Sequence, residues 1–164
     1  MIIPQFCSWL ENTQMASAIR TSTWLFPTIE SIHVLAITIV VGSVAMFDLR
    51  LLGIASRDRS VTELHKELLP WTWAAFACAV VAGSMLFISD ATKYYQDGPF
   101  RFKMVTLLLV GLNAAIFEFG PFRSVAAWDN ERKTPLAAKL AGGISLVLWI
   151  FVVGFGRWIG FTKQ

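Results

Sequence analysis

Four apolar runs, each long enough to cross a bilayer, constrain this chain more than any other feature of its sequence. They cover residues 31–54, 70–89, 102–119 and 140–161, and a membrane-spanning helix needs about 20 mostly apolar residues, within a range of roughly 17–25. Four such runs in 164 residues leave too little polar surface to keep a soluble bundle in water. Composition agrees: 55% of the residues are hydrophobic and only 15% charged, against about 45–50% and about 25% in soluble domains. Seven Trp and thirteen Phe suit a protein that sets aromatic rings at the bilayer interface. The same figures exclude a disordered chain, a disulfide scaffold and a nucleic-acid-binding domain with a basic face. The expected fold is all-α, an integral membrane four-helix bundle preceded by an N-terminal interfacial amphipathic helix.

Short polar links separate the runs, which favours antiparallel neighbours. Ser60-Val61-Thr62-Glu63 reads as a capping box, starting the second long helix about two turns before Pro70. Asp97-Gly98-Pro99 reads as a turn, Gly120-Pro121 as a stop, and Thr134-Pro135 as the lead-in to the fourth run. Residues 1–30 form a separate lead-in, with residues 31–164 as the membrane domain. Met1 to Phe6 has neither a basic region nor a long apolar core, so it does not read as a secretory signal. Ser8-Trp9-Leu10-Glu11 reads as a second capping box opening a helix to about Ser22, with Pro27 breaking the chain before the first span. That helix either lies on the membrane surface or packs on the mouth of the bundle.

Lys and Arg set the orientation. The side with the first and third connections carries eight of them, including Arg57, Arg59, Arg132 and Lys133, and the other side carries six. This places both termini outside. Cys7 and Cys78 fall at different depths, so no disulfide between them is expected. No zinc pattern, phosphate loop, nucleophile elbow or HExxH appears.

Ionisable residues within spans are functional hypotheses by default. Glu30, His33, Asp90, Arg101 and Lys103 gather at the outer end, and Asp48, Arg50, His65 and Glu118 at the inner end. His33 opens a helical stripe through Ile37, Val40, Val44 and Asp48. Its imidazole suits haem iron or copper; pairing with Glu30 at the interface is the plainer alternative. His65 lies at the opposite face beside Glu63, Lys66 and Glu67 and reads as a solvated surface histidine. The two histidines cannot share one iron within a subunit, which excludes a two-haem cytochrome with four histidine ligands. A sixth ligand to a haem on His33 is either absent or a residue such as Met85. Lys103 either snorkels to the headgroups, neutralises a carboxylate or haem propionate, or acts as a free amine.

Ile32-His33-Val34-Leu35, Asp48-Leu49-Arg50-Leu51-Leu52-Gly53 and Pro99-Phe100-Arg101-Phe102-Lys103 resemble segments of a poorly characterised group of bacterial four-helix inner-membrane proteins. More distantly, the first three spans are similar to the membrane domain of copper-resistance D proteins and to the haem-binding J-type protoporphyrinogen oxidase. That second resemblance implies His33 and Lys103 as a functional pair and Arg50 as the counterpart of an arginine in a Pro-Arg-Leu turn, with Asp48-Leu49 here in place of the proline. The oxidase's further histidines are missing, and Asn113 stands in the lysine-bearing helix. Haem b is the cofactor implied. His33 would be its metal ligand, with Lys103, Glu30, Arg50 and Met85 around it.

The sequence thus points to a bacterial inner-membrane electron-transfer protein with one haem b near the outer face, serving a quinone or a periplasmic redox partner, possible as a homo-oligomer and without nucleic acid. The alternatives are a copper-handling protein, using His33 with Met85 or Met104, and a cofactor-free anchor or assembly subunit. A reporter that works only outside the cytoplasm, fused after Gln164, is expected to be active; activity only from a cytoplasmic reporter reverses the topology.

Overall fold

The computed structural model describes residues 2–129 and 134–162. Arg132 and Lys133, counted above for the orientation, lie outside the described residues. In chain order the elements are α1 (Ile2–Glu11), α2 (Gln14–Thr21), α3 (Leu25–Leu52), α4 (Val61–Ser89), α5 (Ala91–Gln96), α6 (Gly98–Phe119), a 3₁₀ segment (Pro121–Ala127) and α7 (Leu136–Thr162). Among the described residues there is no strand. The fold is the expected all-α membrane bundle.

Helices α3, α4, α6 and α7 are the four spans. With 28 residues α3 is about 42 Å long, more than the roughly 30 Å of bilayer hydrocarbon. Most of each apolar stretch faces away from the protein: Leu35, Leu108 and Ile150 are 65%, 74% and 70% exposed. Only lipid makes that arrangement stable. This is a multi-pass membrane protein.

The local signals explain most boundaries. Ser60 caps α4, its hydroxyl accepting the Glu63 amide at 3.1 Å, and α4 continues through Pro70. Gly53, at φ 74°, ends α3 in the left-handed conformation that glycine adopts without a Cβ penalty. Other boundaries differ from expectation. Ser8 to Glu11 closes α1 instead of opening a helix, because the chain is already helical from Ile2. Pro4 sits in that first turn, where its missing N–H costs nothing. Thr13 is the true cap of α2, accepting the Ala16 amide. Pro27 does not break the chain; it lies in the first turn of α3, tolerated for the same reason. Asp97-Gly98-Pro99 is a helix start, with the Asp97 carboxylate accepting the Phe100 amide at 3.1 Å.

Helix α3 packs along α4 on one side and against α7 on another, and α7 in turn packs on α6. Helices α4 and α6 make no extended backbone contact. The N-terminal helices cover the α4–α5 corner: Cys7, Ala16 and Ile19 are buried, and the Glu11 carboxylate accepts the Thr92 amide at 2.6 Å. Ile3, Phe6 and Trp9 on α1 remain exposed, so the segment packs on the mouth of the bundle and keeps an apolar face outward. This end, shared with the finish of α7, is called the terminal end below.

At the far end Arg50 is 3% exposed. Its Nε donates to the Arg59 carbonyl at 2.8 Å and its Nη2 to the Asp129 carbonyl at 3.4 Å. The Asp129 carboxylate accepts the Thr62 amide at 2.7 Å. One guanidinium thereby ties the α3–α4 loop to the segment before α7. Hydrogen bonds to charged groups contribute about 1.5–3 kcal/mol, so Arg50→Ala is expected to lower stability by about that amount. Thermal unfolding in detergent measures the loss, and limited proteolysis should show faster cutting between residues 53 and 60.

Candidate functional site

Polar residues from the spans gather in two places. At the terminal end, His33 of α3 lies across α4, its Nδ1 2.8 Å from the Ala79 carbonyl oxygen. A Cβ added at Gly83 would sit 2.8 Å from His33 Cε1. The imidazole therefore fills the notch that this glycine leaves in α4. Lys103 of α6 is half-buried and reaches inward: a Cβ at Gly156 of α7 would lie 3.4 Å from its Nζ. The snorkelling alternative gives way to this inward pose. Lys103 is within electrostatic reach of the His33 ring, as is Glu30. Each of the four spans thus contributes one residue to the site: His33, Gly83, Lys103 and Gly156.

The remaining expected partners lie elsewhere. Glu30 is exposed one turn from His33 and forms no ion pair among the described residues. Asp90 ends α4, and Arg101 is exposed. Met85 packs near Ile19, Ile29, Ala82 and Leu86 and lines a groove with Cys78 and Val81. It stands two residues beyond Gly83, about 200° around the helix, so it is not turned toward the notch. Arg50 is 17 residues along α3 from His33, about 25 Å, and its guanidinium serves the loop carbonyls described above. Cys7 is buried and Cys78 exposed, both as free thiols.

Tyr94 of α5 escaped the sequence reading. It is 9% exposed, its ring 5.4 Å from that of Phe100. Burial pushes its hydroxyl up to about 12, helped by the negative charges of Asp90, Glu30 and Asp97. Glu30, which also reaches the His33 ring, and Asp90 thus act on a tyrosine at the rim.

The far-end group corrects the reading of His65. Its Nε2 lies 3.4 Å from Glu118 Oε2, and its ring packs against Phe122 at 4.3 Å and Phe47 at 5.5 Å. It is a wedge between α4, α6 and the 3₁₀ segment, not a solvated histidine. From Gly83 back to His65 is 18 residues of one helix, about 27 Å, so the two histidines are as far apart as expected. Asn113 donates to the Ala141 carbonyl at 3.0 Å, holding α6 to α7. Among the described residues no group of three or more His, Cys, Asp or Glu could hold a metal ion.

The fold defines a multi-pass α-helical membrane protein, with His33 and Lys103 in the same half of its bundle. The chain belongs to a family of unknown function, DUF6644, whose model matches residues 6–162. Comparisons with curated proteins and with solved structures return no match. The family agrees with the resemblance to a poorly characterised group, and no link to copper-resistance D proteins or the J-type oxidase emerges.

Overpacking a close contact costs about 1–3 kcal/mol. Gly83→Ala is expected to destabilise the protein by that amount, whereas Gly83→Ala in a His33→Ala background should cost much less. A double-mutant cycle on thermal stability in detergent reads the coupling; additive effects would separate the ring from the notch.

Proposed function

We propose that the terminal half of the bundle binds one haem b through Nε2 of His33 and that the protein serves membrane electron transfer. One observation carries this reading. The Ala79 carbonyl can only accept a hydrogen bond, so His33 Nδ1 donates to it and the Nε2 lone pair is left available. A backbone carbonyl on the second nitrogen is a common way to fix the tautomer and angle of a metal-ligating histidine. Lys103 brings a cation suited to a propionate. When bound, the haem would supply one-electron chemistry; the chain holds it, orients it and shields it from water. A quinone or a redox partner outside the membrane would exchange the electron, and the chain can act alone or as a homo-oligomer.

No observation favours copper. That reading needs a soft ligand beside His33, whereas Met85 is turned away and Met104 is 47% exposed. The cofactor-free anchor is the outcome if the test fails.

Full-length protein purified in detergent after expression with haem supply is expected to show a Soret band. His33→Ala should lose it with the four spans intact, and His65→Ala should keep it, since His65 lies at the far end. Haem retained without His33 would make the histidine a packing residue, and an unmodified protein without a Soret band would leave the anchor reading in its place.

A further inference from the structure

The far half of the bundle holds a carboxyl that the reading above does not use. Asp48 is 4% exposed and lies four residues before the end of α3. Helix α7 comes so close that a Cβ at Gly142 would sit 3.2 Å from the Asp48 carbonyl oxygen. Ser145, one turn further along α7, hydrogen-bonds the Asp48 carboxyl. The second carboxyl oxygen, Oδ2, is buried and has no partner. One more turn along α7, Trp149 Nε1 is likewise buried without a partner.

The charged groups nearby are all otherwise placed. Arg50, two residues on, serves the carbonyls of Arg59 and Asp129. On α4, His65 stands behind the Phe47 ring and engages Glu118 of α6. Lys139 of α7 lines a surface groove with Leu52 and Gly143. Among the described residues no cation forms an ion pair with Asp48. A metal cation has too few ligands here: calcium takes about 6–8 oxygens and magnesium about six, whereas Asp48 and Ser145 offer three side-chain oxygens. A proton needs one.

We propose that Asp48 is a proton-binding site, taking up and releasing an exchangeable proton at Oδ2 from water at the far end of the bundle. Uptake forms one O–H bond from an Oδ2 lone pair and cancels the carboxylate charge; no other bond changes. Ser145 holds the other oxygen and fixes the carboxyl against α7. Buried carboxyls in spans commonly serve as proton relays, and this one stands independently of any haem at His33.

Infrared spectroscopy of the full-length protein in detergent, titrated with pH, tests the assignment. The wild type is expected to show the carbonyl stretch of a neutral carboxyl that disappears as pH rises, and Asp48→Asn should lack that band. Ser145→Ala should shift the band and its titration midpoint, and Asp48→Glu should restore a band at altered frequency. If Asp48→Asn does not fold, Ser145→Ala and Asp48→Glu decide the matter through the same band. The assignment falls if no such band appears at any pH, or if the band is untouched by these substitutions.

Discussion

Hydrocarbon offers no hydrogen bonds, and that deficit decides where the polar atoms of the four long helices go. A backbone or side-chain polar group left unpaired in lipid costs several kcal/mol, so the chain satisfies its backbone within helices and several of its polar side chains across the seams between them. His33 reaches the Ala79 carbonyl, the Thr72 hydroxyl donates to the Ser43 oxygen at 2.8 Å, Ser145 meets Asp48, and Asn113 reaches Ala141. Three of the four involve α3. The first two fix α3 to α4 and the third fixes it to α7, which makes α3 the spine of the molecule.

Lipid also removes the usual reason for helices to associate, because tails are as apolar as leucine. Close approach and dispersion must do more of the work. Three glycines show how. Gly83 admits the His33 ring, Gly142 admits the backbone of α3 at Asp48, and Gly156 admits the Lys103 amine. In each case a helix without a side chain at one position receives a polar residue of its neighbour. The apolar clusters between these points, such as Val40, Ala75, Trp149 and Val152, fill the seams.

The spans were legible in the sequence because length and hydropathy are one-dimensional properties. The depth of His33 against His65 followed from the same counting. The N-terminal helices were misplaced because Ser8 to Glu11 has the composition of a helix start; only the helical state of the residues before it shows that it is an end. Glycine and histidine positions on separate helices carry no mutual signal in one chain, so the notch at Gly83 was invisible. His65 was misread for a related reason. Its charged sequence neighbours suggest water, while the groups that enclose it, Phe47, Phe122 and Glu118, come from distant parts of the chain.

The apolar groove between α3 and α4, lined by Ile29, Ile32, Cys78, Val81 and Met85, has a consequence for how the molecule meets small molecules. Its lining comes wholly from two spans, so its mouth faces sideways into the bilayer. A compound using it must first dissolve in lipid. Its occupancy then follows its mole fraction in the membrane instead of its concentration in water, and a greasy, scarcely soluble molecule can saturate the protein while a soluble analogue with the same head group does not.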